Sequence, residues 1–381
     1  MGIALEQVTR VAGGQAHLHP MDLAFEDGSL TVLLGPVRAG KTSLMRVLAG
    51  LDRPTSGRLL EDGRDITGLD VRKRSVAMVY QQFINYPNFT VYHNIASPLV
   101  VAGQLGRRAR DHRVREMAER LGLTPFLQRL PAELSGGQQQ RTALARAMVK
   151  DSRLLLLDEP LVNLDYKLRE DLRAEMKSLF RGSERIVVYA TTEPQEALRL
   201  GGQTCVLSAG RKLQDGPALE VYRTPSNLQT AHLISDPAMN VLPGAIAVAN
   251  GRKHIQLDGG AALPLPDGFE DLPAARYTFG LHAAHVSLDA GPGRSELPVA
   301  IELAEINGSE TLLHGRYGGT PVLLQMDGVH DAAIGSAAVF RFDRARLYAF
   351  DAAGALACAP CFQSIRATHG GEGQHGAYSA A

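Results

Sequence analysis

Three short stretches of this chain carry residue types whose spacing suits phosphate chemistry. In the first, Gly35-Pro36-Val37-Arg38-Ala39-Gly40-Lys41-Thr42 fits G-x-x-x-x-G-K-[ST], with Ser43 next in the chain. In such a loop backbone N–H groups wrap around phosphates, the Lys reaches the β and γ phosphates, and the Thr hydroxyl ligates Mg²⁺. Ala39 and Gly40 are small enough to let backbone and anion approach, and a following helix N-terminus would add positive potential. In the second stretch, SRLLLLDEP, an apolar run ends in Asp158 and Glu159. Asp158 is placed to hold Mg²⁺ through water, and Glu159 to polarise an attacking water. Alone, a strand ending in Asp-Glu is an ordinary strand terminus; downstream of a phosphate loop it becomes a candidate site. In the third, LSGGQQQR, Ser135 suits the N-cap of a helix beginning near Gln138, and Gly136 and Gly137 leave room for an anion there.

These residues need elements that bring them together. Apolar residues from Leu30 to Leu34 read as a buried strand, and Leu44, Val47, Leu48 and Leu51 recur at helical spacing after the loop. Strand, turn, helix is the context that the loop motif requires. Leu154 to Leu157 read as a second buried strand and residues 186–190 as a third, while Leu144 and Met148 mark the inward face of the helix that Ser135 caps.

The chain has 381 residues, 45% of them apolar, enough for two or three separate cores. Forty basic side chains balance forty acidic ones, so nothing in the global charge recommends nucleic acid as a partner. No apolar run approaches the roughly 18 residues of a membrane span, and MGIALEQVTR lacks the pattern of a secretion signal. Three cysteines suggest a reducing compartment. Cys358 and Cys361 form a lone C-x-x-C without the context of a redox or zinc site.

Taken together, LSGGQQQR resembles the signature of ATP-binding cassette (ABC) ATPases, and the other motifs follow in that family's order. VYQQFINYP places Gln81 at the Q-loop position, LVNLD places Asp165 in a D-loop, and a switch segment follows at Thr192. The resemblance implies an α/β P-loop ATPase with a helical subdomain, spanning residues 1–235 with the helices at about 83–150. Beyond it, MNVLPG, INGSETLLHGRYGG and FDRARLYAFD are similar to the small all-β, OB-like regulatory domain of maltose-type sugar and polyol importers, here residues 236–357. TFGLHAAHV stands where that branch shows Gly-Ile-Arg-Pro-Glu, so ligand contacts carried by that Arg and Glu do not transfer. Residues 358–381 read as a flexible tail.

The family implies ATP and Mg²⁺ as ligands, the latter held by Thr42, Gln81 and Asp158, with Glu159, Gln81 and Thr192 as the catalytic set. It implies head-to-tail pairing with a second ATPase chain, whose ATP would meet Ser135, Gly136, Gly137, Gln138 and Asp165. It implies two transmembrane permease subunits docking after the Q-loop, at QQFINYPNFTVYHNI, an extracytoplasmic solute-binding protein acting through them, and a peripheral place on the cytoplasmic face of the inner membrane. Two departures stand out. VYATTEPQEAL puts Thr192 where the family has a His touching the terminal phosphate, and no aromatic stands near Ala12 to stack on adenine, leaving His17 and His19 as alternatives. A neutral, shorter donor at position 192 would slow hydrolysis, unless Glu159 and Gln81 suffice or Glu193 reorganises the loop. These features resemble one of the two non-identical ATPase subunits of bacterial glycerol importers. The other readings are an importer of another sugar, polyol or glycerol phosphate, a soluble ABC ATPase, and a regulatory subunit that binds nucleotide without hydrolysing it.

Overall fold

The computed structural model describes residues 2–162, 166–180, 182–291 and 293–360. The strands expected around the phosphate loop join one six-stranded sheet in the order Arg211–Pro217, Gln203–Ser208, Leu30–Leu34, Ile186–Thr191, Leu154–Asp158, Val76–Val79. All neighbours are parallel except the first pair. A parallel sheet is covered on both faces, and alternation along each strand divides the side chains between two cores. Leu154 and Leu156 join a core closed by helix α1 (Lys41–Ala49) and by an antiparallel sheet that includes Gly2–Ala12 and Gln15–Glu26. Leu155 and Leu157 point the other way, into a core shared with α2 (Val91–Ala102), α3 (Arg107–Arg120) and α4 (Gly136–Val149).

Two boundaries differ from expectation. Helix α1 stops at Ala49 with Gly50 at a left-handed C-cap, so Leu51 lies outside the helix and is 39% exposed. Helix α4 begins at Gly136, earlier than Gln138, because Ser135 and Gln138 form a reciprocal capping box. Leu144 and Met148 are buried as the periodicity requires.

The C-terminal part is all-β. A six-stranded sheet built around Asn240–Ala249 and Arg276–Leu281 packs on a five-stranded sheet built around Ser295–Ile306 and Glu310–Tyr317. They share one core that includes Phe279, Phe340, Phe342 and Leu324. Asn240 clasps the Leu323 backbone, accepting from its N–H at 2.6 Å and donating to its carbonyl at 2.7 Å. In the divergent segment His282 is buried, stacked on Tyr222 of the helix Ala218–Arg223 at 4.5 Å between ring centroids. Cys358, assigned to the tail from sequence, instead ends the last strand opposite Ala349. Cys361 and the rest of the tail lie outside the described residues.

Candidate active site

The parallel strands end together at one edge of the sheet. Leu34 pairs with Thr191, Asp158 with Ala190, and Val79 with Leu157. The residues that follow these ends, Gly35, Glu159, Thr192 and, after Val79 and Tyr80, Gln81, therefore emerge side by side, the usual place for a ligand in an open α/β sheet. Close packing fixes the loop that starts at Gly35. A side chain at Gly35 would stand 2.2 Å from the Leu207 carbonyl oxygen, and Gly40 has φ 103° with the His17 carbonyl 3.0 Å from where its Cβ would be. Arg38 takes φ 66° to complete the turn.

Inside this turn Lys41 is buried, and its Nζ donates to the carbonyls of Gly35 at 2.6 Å and Pro36 at 3.1 Å. Its ammonium lies 3.4 Å from Glu159. Burial pushes its pKa down, and Glu159 and then Asp158 oppose that shift. Thr42 Oγ1 donates to Asp158 Oδ2 at 2.9 Å. Burial raises the pKa of Asp158, which the Thr42 bond and Lys41 oppose and the Glu159 charge reinforces. This pair of hard oxygen donors beside an anion loop suits Mg²⁺, which takes few protein ligands and keeps waters and phosphate oxygens. Among the described residues no group of three or more His, Cys, Asp or Glu forms a cage of its own. Gln81 Nε2 donates to Glu159 Oε2 at 3.0 Å, which turns its amide onto Glu159. Glu159 takes φ 48°, a strained backbone for this residue type, held by its N–H donating to the Ala190 carbonyl at 3.0 Å.

Thr192 lies half-buried just past the neighbouring strand. The backbone before it is tied to the phosphate loop, since Gly35 N–H donates to the Thr191 carbonyl at 3.3 Å. Glu193 N–H donates to Thr191 Oγ1 at 3.0 Å, and Arg169 of α5 (Tyr166–Phe180) donates to the Glu193 carboxylate at 2.9 and 3.2 Å. Glu193 thus has a fixed partner, which the sequence reading had left open.

With this geometry in place, known proteins supply the context. Residues 18–162 match the family model described as ABC transporter. The sn-glycerol-3-phosphate import ATP-binding protein UgpC of Escherichia coli O157:H7 is 36% identical over 351 residues, 92% of this chain and 98% of that protein. Its namesake in Salmonella typhi is 35% identical over the same shares. This chain belongs to the ATP-binding subunits of ABC transporters. The dimeric structure of the bacterial ABC transporter cassette MJ0796 covers 57% of the chain and 98% of its own length, at 29% identity and a TM-score of 0.53. A second structure of that cassette, a dimeric post-hydrolysis state bound to ADP and Pi, gives 28% identity and a TM-score of 0.52. The chain is thus an ABC ATPase, and its activity is coupled to transport.

Of the remaining residues singled out from sequence, His17 meets this ABC phosphate loop through its backbone and the others lie elsewhere. Ser135 and Gly136 are exposed at the start of α4, and the capping bonds join Ser135 to Gln138, Ser135 N–H donating at 3.1 Å and Gln138 N–H at 3.4 Å. Asp165 lies outside the described residues. The segment after Gln81 exposes Ile84, Tyr86 and Phe89 by 61%, 49% and 45%, an apolar patch on an otherwise polar rim. Buried Asn94 shapes it by accepting from Tyr86 N–H at 2.8 Å and donating to the Phe89 carbonyl at 2.9 Å. Arg146 stacks over the Tyr86 ring at 4.9 Å, beside a cavity of about 150 Å³ lined by Met78, Phe83 and Ala143. Arg146 and Arg169 were missed in the sequence because they act across folds of the chain, and Asn94 because its partners are backbone groups of the loop just before its helix. For Asn94 and Arg146 the signal was a polar residue inside an apolar helical run; Arg169, in a helix rich in charge, gave none. His17 is exposed where its backbone meets Gly40, and His19 N–H donates to the Gly210 carbonyl at 2.8 Å.

Proposed function

We propose that this chain is the ATP-binding and hydrolysing subunit of a bacterial ABC importer for glycerol. The observation that carries the catalytic part is the meeting of Lys41, Thr42, Gln81, Asp158 and Glu159 at one sheet edge through contacts of 2.9 to 3.4 Å. In this reading residues 35–43 hold the triphosphate, and Lys41 leaves its own loop carbonyls for the β and γ phosphates. Thr42 and Asp158, with Gln81, would hold Mg²⁺, which would supply neutralising charge to the phosphates. Glu159 polarises the attacking water, and Gln81 holds that carboxylate in place. Thr192 contributes a weak donor, so the site binds ATP well and turns it over slowly.

Residues 1–235 form the ATPase domain and 236–357 a regulatory domain. The exposed Ser135 and Gly136, with the half-buried Gly137 and Gln138, face the ATP of a second, non-identical ATPase chain paired head to tail, a contact to which the resemblance also assigns Asp165. Ile84, Tyr86 and Phe89 receive a permease subunit, one of two, which places the chain peripherally on the cytoplasmic membrane face; a solute-binding protein acts only through those subunits. Among the described residues no helix is long and apolar enough to cross a membrane. The glycerol assignment rests on the Thr191-Thr192-Glu193-Pro194 switch and the early histidine segment. A second reading, import of sn-glycerol-3-phosphate, is favoured by the names of the relatives. Uptake of labelled glycerol and of labelled glycerol 3-phosphate, each with the native chain and with Lys41→Ala, tests both. Loss of glycerol uptake alone supports the first reading, loss of phosphate-ester uptake alone the second, and loss of neither refutes the pair.

A further inference from the structure

Thr192 sits inside a ring of bonds that closes through one side chain. From the phosphate loop, Gly35 N–H reaches the Thr191 carbonyl, and Thr191 Oγ1 takes the Glu193 N–H. Glu193 then pairs with Arg169, whose Nη2 lies 3.5 Å from the Val162 carbonyl. Val162 N–H returns to the Glu159 carbonyl at 3.4 Å, and Glu159 N–H to Ala190 at 3.0 Å. Among the described residues, Arg169 is therefore the side chain in the ring that reaches both the switch loop and the segment bearing Glu159.

We propose that Arg169 is a positioning residue for ATP hydrolysis, its guanidinium fastening the loop that carries Thr192 to the strand end that carries Glu159. This rests on the assignment of Glu159 and Thr192 to the reacting end of ATP. The pair is unsuited to a stabilising role: its side chains are 23% and 40% exposed, and ion pairs so placed add little to folding. The planar guanidinium fixes direction instead: one nitrogen, Nη1, is shared between both oxygens of Glu193 while Nη2 turns toward the Val162 carbonyl. Helix α6 (Pro194–Leu200) is held independently. Buried Glu196 accepts from Tyr189 Oη at 2.9 Å and from Arg173 Nη2 at 3.4 Å. Cutting the Arg169 bond thus frees the loop at 192–193 without releasing the helix behind it.

The test is single-turnover ATP hydrolysis by the full chain assembled with its transporter partners, any different partner ATPase being disabled at its own P-loop lysine. Arg169→Ala should lower the rate constant about 10- to 100-fold, as small misplacements of reacting groups do, with ATP affinity and melting temperature unchanged. Arg169→Lys, which keeps the charge and loses the planar guanidinium, should fall between, and Arg169→Glu with Glu193→Arg should recover part of the loss. An unchanged rate in Arg169→Ala overturns the proposal, as does a parallel fall in ATP affinity and melting temperature, the signature of a purely structural contact. A native chain that binds ATP and has no turnover at its own site overturns the hydrolytic reading and this proposal with it. A native chain with turnover beside an unimpaired Arg169→Ala overturns this proposal alone.

Discussion

Replacing Thr192 by His tests whether the departure at the switch sets the rate. The backbone there is already placed: Thr191 is bonded to Gly35, and Glu193 is clamped by Arg169. An imidazole added at 192 would therefore project from a fixed position, with its donor further from the backbone than a threonine hydroxyl. One preorganised donor aimed at developing charge is worth about 2.7–4 kcal/mol, or 10²–10³ in rate. That is a ceiling here, because Glu159 is already held by Gln81 at 3.0 Å and Lys41 at 3.4 Å, so much of the alignment exists without the imidazole. A gain of about tenfold, near 1.4 kcal/mol, is the expected remainder. The assay is quenched-flow single turnover on the assembled transporter, with ATP affinity measured in parallel. Affinity should stay within about twofold, since the donor acts on charge that develops in the transition state. A rate that is unchanged or lower refutes the reasoning and means that the threonine belongs to a rearranged, competent site.

Lys41→Ala should weaken ATP binding about 10- to 100-fold in a fluorescent-nucleotide titration, because a charge-assisted donor to the phosphates is lost and Glu159 loses its cation. Phe89→Asp, on the exposed patch, should abolish co-purification with membrane subunits while ATP affinity stays within about twofold, since it puts charge into an apolar contact. Burial, and to a lesser extent the His285 charge, depress the His282 pKa from 6.5 to about 4, with Tyr222 and Tyr348 packed around the ring. The folded protein then binds fewer protons than the unfolded chain between those values. The stability contributed is complete above pH 6.5 and is lost as pH falls toward 4, up to about 3 kcal/mol. Thermal melts across that range should show the decline, and His282→Gln should flatten it.

The parts of this molecule legible in the sequence are those whose signal is local. Leu30–Leu34 and Leu154–Asp158 are apolar runs ended by loop residues, and the 35–42 loop declares itself through glycines that the backbone needs where Leu207 and His17 press against it. The helix capped by Ser135 was visible as well, but its start was displaced, because the capping box lets Gly136 and Gly137 enter the first turn in spite of their low propensity. What the sequence could not show are contacts closed by folding. Arg169 and Glu193 are far apart in the chain and meet only because α5 runs back beside the strand Ile186–Thr191. Asn94, to which the sequence assigned nothing, is buried and bonds the backbone of the segment 86–90 just before it. Leu51 fitted a helical period that Gly50 had already ended.

The distribution of these residues bears on how a weakened switch could be tolerated. Groups that bind and polarise, Lys41, Thr42, Asp158, Glu159 and Gln81, converge within one chain. Ser135 and Gly136 are exposed, and Ser135 and Gln138 spend their capping bonds on each other, which leaves the start of α4 to face outward. On the proposed head-to-tail pairing, each ATP would then be held by the loop of one chain and the α4 terminus of the other. A substitution at 192 would weaken the site built on this chain's own loop and leave the opposite one intact, because on that pairing the opposite site borrows Ser135 to Gln138 and Asp165 from here, and not residue 192. Two identical chains would carry the defect twice; two different chains would carry it once. The threonine is thus an argument for an unlike partner, and disabling the P-loops one chain at a time would reveal unequal losses if that argument holds.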